Sequence, residues 1–188
     1  EDIFNLVAHS HYRRIPNYRS LTAEDEQALH DAHYNRVTDT CIPEETAIRR
    51  IADHILERWQ SADKAGESYF PYEYIYQLLE SDVLEQHYEI DPADSWVIAA
   101  YKKQIPIYTP GWEDSSLGNI FVSYIIRGLI SNTHVIKDGL QQMMHLIDWY
   151  KNQSKLGPMG FFQIGGGIAG DDVENAGWEN SISKFTEP

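Results

Sequence analysis

A single cysteine, Cys41, stands among the 188 residues, so no internal disulfide framework can form. One thiol without a local nucleophile signature reads as a structural residue, and the default compartment for such a chain is a reducing cytoplasm. No stretch of about 18 apolar residues occurs, so no transmembrane helix is expected. No basic-then-apolar leader opens the chain. Basic residues are also scarce: 15 Lys and Arg stand against 29 Asp and Glu, a formal net charge of -14. That balance excludes a nucleic-acid footprint, which needs clustered cations. It leaves an acidic surface able to attract cationic ligands such as polyamines. Internal repeats and low-complexity stretches are absent. The first residue is Glu1 rather than Met, and a helical pattern starts almost at once, as expected of a start inside a longer protein.

What is present is helical periodicity. Ile3, Phe4, Leu6 and Val7 predict a short helix to about His9. Thr22, followed by Glu24, Asp25 and Glu26, reads as an N-cap with acids in the first turn, opening a helix to about His33. Arg36–Thr40 is a short strand or an extended connection. Residues 43–63 carry the clearest signal: Pro43 suits a first helical position, and Ala47, Ile48, Ile51, Ala52, Ile55, Leu56 and Trp59 recur at i, i+3, i+4. Gly66 ends that helix. A further helix starts near Pro71 and turns Tyr74, Ile75, Leu78 and Leu79 inward. Asp91–Ser95 begins another, with Trp96, Ala99 and Ala100 facing a core. Two more run from about Leu117, with Ile120, Phe121, Tyr124 and Ile125, and over about 134–152, with Ile136, Leu140, Met143, Met144 and Ile147.

Two short apolar runs, Ile105–Tyr108 and Gly160–Ile164, read as strands. Each leads into a polar loop: Gly111-Trp112-Glu113-Asp114-Ser115-Ser116-Leu117-Gly118-Asn119, and the run Gly165-Gly166-Gly167. The alternation of helices with short apolar strands predicts an α/β fold built on a parallel sheet flanked by helices. Ligands of such sheets bind beyond the carboxyl ends of the strands, where both loops fall. Glycines there admit a ligand close to backbone N–H groups, and carboxylates can hold ribose hydroxyls or amines. Gly165, Gly167 and Gly170 have dinucleotide-loop spacing, yet the acidic residue about 20 positions on is Glu187, without a strand, so that fingerprint is set aside. Ser115 and Ser116 lie outside G-x-S-x-G, which excludes an acyl-transfer elbow. His30 and His33 can share a helix face, but a metal needs a third ligand that nothing identifies. No metal site is expected. Tyr69, Tyr72, Tyr74 and Tyr76 form an aromatic cluster, part core and part interface.

The stretches EDIFNLVAHSHYRRIPNYRSLT, YNRVTDTCIPEE, YFPYEYIYQLL, LEQHYEIDPADSW, IPIYTPGWEDSSLGNIF and GFFQIGGGIAGD together resemble the deoxyhypusine synthase family, above all its bacterial deoxyhypusine synthase-like branch. They cover residues 1 to about 171 and leave 172–188 as an unaligned polar tail. The resemblance implies a truncated, helix-rich portion of a Rossmann-like α/β fold, in a family of homotetramers with active sites between paired subunits. It implies NAD as cofactor and spermidine as donor of an aminobutyl group. The acceptor is putrescine, giving homospermidine, or a protein lysine, giving deoxyhypusine.

Residue by residue, the resemblance places Glu1 near the nicotinamide and the amine. Asp114 is placed on NAD, and Gly165, Gly166 and Gly167 beside the cofactor. Asn119 stands where the eukaryotic enzymes have an amine-holding aspartate, and Asp171 where they have a histidine lining the amine site. Both follow the bacterial-like pattern. The family's nucleophilic lysine, in a W-G-K motif, has no counterpart here, since Lys184 lies in S-K-F. An inactive short relative that pairs with a full-length synthase is the alternative reading. Neither nucleic acid nor membrane is an expected partner.

Overall fold

A computed structural model describes residues 2–162 and residue 164. Seven α-helices and three short strands are formed among them: α1 (Asp2–Ala8), β1 (Arg13–Arg14), α2 (Ala23–Asp31), β2 (Tyr34–Val37), β3 (Thr40–Pro43), α3 (Arg50–Ala65), α4 (Pro71–Glu80), α5 (Trp96–Lys102), α6 (Ser116–Ile126) and α7 (Gly139–Ser154). The fold is a helix-rich α/β arrangement.

Local chemistry sets most helix ends. Thr22 accepts a hydrogen bond from Asp25 N–H while the Asp25 carboxylate accepts from Thr22 N–H, a closed capping box. Asp138 and Gln141 close the same box at the head of α7. Replacing Asp138 with Ala should therefore lower stability by about 1 kcal/mol, seen as an earlier denaturation midpoint; an unmoved midpoint would show that the cap contributes nothing. Gly66 ends α3 with φ +68 and donates its N–H to Ala62 and Asp63 carbonyls. The segment before α3, Glu44–Arg49, winds as a π-helix and runs directly into it, so Pro43 closes β3 rather than opening the helix.

The core gathers around α3. Trp59 is 0% exposed and meets Tyr74 of α4, Phe121 and Tyr124 of α6, and Trp112 edge to face. Leu6 and Val7 of α1, Ile51 and Ile55 of α3, and Leu78 and Leu79 of α4 complete the same cluster.

The sheet differs from expectation. Its three strands are antiparallel in order β1-β3-β2, with Val37 opposite Thr40 and Tyr34 opposite Pro43. It is a hairpin with one added strand, and Arg36–Thr40 belongs to it. The expected Rossmann-like parallel sheet is not formed among the described residues. Ile105–Tyr108 pairs with no strand among the described residues; the Ile105 N–H donates to Ala100 O at 3.0 Å, and side chains supply further ties. The Tyr76 hydroxyl donates to Ile105 O at 2.5 Å, and the Thr109 N–H donates to Gln142 Oε1 at 3.0 Å. Residues 160–162 likewise form no ladder. The one parallel pairing described is an isolated bridge between Tyr69 and Ile136.

Two helices face otherwise than their apolar stripes predict. Ser95 caps α5 by accepting from Ile98 N–H, and that start turns Val97 and Ile98 inward while Trp96 is left 58% exposed. On α7, Gln142 is buried, whereas Leu140 and Met144 are 74% and 67% exposed. Gln142 is buried because it satisfies the backbone N–H of Thr109, so α7 docks on its polar side. Met143 and Met144 are therefore not a core pair. His30 and His33 do not share a helix either: α2 stops at Asp31, and His33 has φ +58.

Candidate functional site

The stretch 111–119 follows Ile105–Tyr108 and runs into the first turn of α6, and its polar residues divide into two groups. Ser115 is structural: its Oγ accepts from Gly118 N–H at 3.0 Å and caps α6. Asn119 is tied to the same turn, its amide donating to Ser115 O at 3.0 Å. Gly118 packs so tightly that a Cβ would lie 2.8 Å from Glu113 O and closer still to Trp112 O. These three residues hold the turn 112–114 against the first turn of α6. Asp114 is the other kind. It is exposed, and its carboxylate makes no hydrogen bond or ion pair among the described residues.

Asp114 stands at the edge of a cavity of about 390 Å³. Phe4 of α1, Ile55 and Trp59 of α3, Tyr72 and Ile75 of α4, Trp96 and Val97 of α5, Ile107, and Trp112 form its largely apolar walls. Thr109, Ser115 and Ser116 supply hydroxyls. Among the described residues its charged lining groups are two carboxylates, Asp2 and Asp114, and no Lys, Arg or His lines it. Asp2 is engaged in the fold: its Oδ2 accepts from Ser95 Oγ at 2.6 Å and from Val97 N–H at 3.2 Å, joining α1 to the head of α5. That leaves Asp114 as the lining carboxylate free to meet a ligand. Burial pushes the Tyr72 phenol up to about 12, with the Glu73 charge adding to it, so this wall stays a neutral donor.

A cavity of this size, apolar with few convergent polar groups, has the character of a small-molecule site. Its negative, aromatic lining suits a cation, a flat ring or a sugar hydroxyl and disfavours an anion.

Of the residues singled out from sequence, Asp114 is at the cavity. Asn119 is one helical turn away and does not line it. Glu1, Gly165, Gly166, Gly167 and Asp171 lie outside the described residues. Sequence reasoning missed Trp96, Tyr72 and Asp2. Trp96 was assigned to the core by its spacing; the signal for its outward position was Ser95, whose cap sets the phase of α5.

The deoxyhypusine synthase family model matches residues 1–180, and the chain belongs to that family. It is similar to a deoxyhypusine synthase-like protein of Coxiella burnetii (strain RSA 493 / Nine Mile phase I), 27% identical over 174 residues that cover 93% of this chain and 45% of that protein. A deoxyhypusine synthase-like protein of Elusimicrobium minutum (strain Pei191) is 26% identical over 175 residues, covering 93% of this chain and 42% of that protein. The chain thus spans less than half the length of these relatives. Among the described residues no helix is long and apolar enough to cross a membrane.

Proposed function

We propose that the chain contributes the Asp114 cavity to an NAD-dependent aminobutyl transferase. The enzyme moves the four-carbon amine of spermidine to an acceptor amine, either putrescine or a protein lysine. The observation that carries this reading is the unengaged Asp114 carboxylate beside an aromatic cavity with no lining cation, in a chain of this family.

The lining fits the nucleoside end of NAD. Asp114 accepts hydrogen bonds from ribose hydroxyls, and the Trp96, Trp112 and Tyr72 rings flank a flat ring and exclude water. With no cation in the lining, the pyrophosphate is met by groups outside this cavity, for which Gly165, Gly166 and Gly167 are the proposed backbone donors. NAD, when bound, supplies a hydride acceptor for amine oxidation. Glu1, Asn119 and Asp171 are proposed to face the amine. The family's lysine nucleophile has no W-G-K counterpart in the 188 residues, so in this proposal it is supplied from outside them, on the same polypeptide or on a synthase subunit across a shared interface. We also read Ile105–Tyr108 as a strand of a Rossmann-like sheet completed by segments outside the described residues; its apolar composition and its lack of ladder partners among the described residues support this.

The test is release of 1,3-diaminopropane from spermidine with NAD and putrescine, by the chain alone and co-expressed with a full-length synthase from its source. Asp114→Ala should weaken NAD binding about 10- to 100-fold, the range for losing hydrogen bonds to a charged group. Its thermal midpoint should hardly move, because the residue is exposed and unengaged. NAD affinity unaffected by the substitution would remove Asp114 from the site. Diaminopropane release unaltered by the chain would favour a non-catalytic role.

A further inference from the structure

A second crevice lies on the other side of Tyr72. Tyr69 precedes α4, and Tyr72, Glu73, Tyr76, Gln77 and Glu80 recur along one face of that helix at i, i+3, i+4 spacing. Tyr101 and Gln104, from the end of α5, face them across a space of about 270 Å³. A helix face turned toward a neighbouring helix ordinarily carries aliphatic side chains. This one carries phenol rings and acids.

The rings are set at steep angles to one another. Tyr72 and Tyr76 meet edge to face at 5.2 Å, and Tyr76 and Tyr101 at 5.3 Å with 65° between their planes. Rings so disposed present their negative faces in different directions around a shared space. Burial raises the Tyr76 phenol as it does Tyr72, so both remain neutral at physiological pH. Among the described residues the charged groups lining the crevice are the carboxylates of Glu73, paired with Lys137, and Glu80. Glu73 also accepts Phe70 N–H at 2.6 Å, which fixes its position at the head of the helix. The Glu80 carboxylate, at the other end, makes no hydrogen bond or ion pair among the described residues.

The chain already shows what this wall binds. The Lys137 ammonium lies 4.3 Å from the centroid of the Phe70 ring and 3.8 Å from Glu73 Oε2, at the head of the same helix. An aromatic face with a carboxylate beside it is thus in use as an ammonium seat one turn from the crevice.

We propose that the crevice between α4 and α5 is a second binding site, distinct from the Asp114 cavity, for an organic ammonium ion. The Tyr72, Tyr76 and Tyr101 rings surround the cation, and the Glu80 carboxylate neutralises it. The ammonium belongs to a free small amine or to a lysine side chain of another polypeptide; the recognition chemistry is the same. Because Tyr72 borders both spaces, occupancy of one is felt at the other. The site does not depend on the transferase reading.

The experiment is an NMR titration of the 188-residue chain with tetramethylammonium, butylammonium and acetyl-lysine methylamide. Neopentyl alcohol and butanol serve as neutral controls. Tyr76 and Tyr101 ring signals report the crevice, and Trp96 and Trp112 indole signals report the Asp114 cavity. Saturable shifts of the tyrosine signals by the cations and not by the alcohols are expected. Glu80→Gln and Tyr101→Leu should each weaken the cations about 2- to 5-fold, the effect of losing one exposed cation contact. Glu80 is exposed, so its substitution tests the site even if Tyr101→Leu fails to fold. Tighter binding of the lysine derivative than of butylammonium would identify a protein source, and the reverse a free amine. Equal shifts by the alcohols, undiminished binding in Glu80→Gln, or shifts confined to the tryptophans would overturn the proposal. The last of these outcomes would leave the Asp114 site standing.

Discussion

Gly118→Ala should destabilise the protein, although the same change in an open helix stabilises. Alanine is favoured over glycine inside a helix by about 1 kcal/mol. Gly139, at the head of α7, has nothing within 4 Å of where a Cβ would stand, so Gly139→Ala should raise the thermal midpoint modestly. At Gly118 the added Cβ would sit 2.8 Å from Glu113 O and 2.9 Å from Glu113 Cα, with Trp112 O nearer still. These are backbone atoms of the turn that carries Asp114 and cannot rotate aside as a flexible side chain would. Overpacking of this kind costs about 1–3 kcal/mol, sometimes more, and exceeds the propensity gain. The loop either strains the fold or lifts away from α6. In the first case the midpoint falls; in the second, Asp114 is displaced and ligand binding at its cavity is lost. Measuring both Gly→Ala variants by thermal denaturation and by NAD binding separates the two. A Gly118→Ala protein as stable as the parent, with unchanged binding, would mean that the turn does not pack as described.

The largest loss of stability is expected at Trp59. Its ring touches four aromatic neighbours drawn from α4, α6 and the turn 112–114, so it joins the site loop to the core. Trp→Ala in a packed core costs about 3–5 kcal/mol, against a total stability of about 5–15 kcal/mol for a domain. The indole N–H of Trp59 is buried without a hydrogen-bond partner among the described residues. Trp59→Phe removes that orphan donor as well as part of the ring, and leaving a buried donor unpaired costs about 1–3 kcal/mol. The Phe variant should therefore lose clearly less than the Ala variant. Chemical denaturation of the parent and both variants tests the pair. A Phe variant as destabilised as the Ala variant would show that shape, rather than polar satisfaction, governs this position.

How much was legible in the chain differs by level. The helix caps were readable because their cause is local: Thr22 lies three residues from its partner Asp25, and Gly66 follows directly on the last turn of α3. The α3 and α4 core faces were readable because long periodic stripes average over single exceptions. The site loop was readable as polar, glycine-bearing chemistry after an apolar run, and the structure places Asp114 at the lining of a cavity. Its motif stretches also carried the family, which the match over residues 1–180 bears out.

Tertiary structure alone decided the rest. Ile105–Tyr108 has strand composition, but a strand exists only where a partner backbone stands beside it; among the described residues Ala100 O and the Tyr76 hydroxyl meet the backbone of Ile105 instead, and Gln142 meets Thr109 just beyond. On α7 the apolar stripe predicted the buried side, yet one buried glutamine that satisfies a backbone N–H turned Leu140 and Met144 outward. On α5 the cap at Ser95, joined to Asp2 far away in the chain, moved the core face by one residue and placed Trp96 against the cavity. Sequence determined where most helices start and stop, because caps depend on neighbours a few positions away. Which face each helix buries, and which carboxylate is left free, depended on contacts between residues tens of positions apart, and only the folded chain sets those.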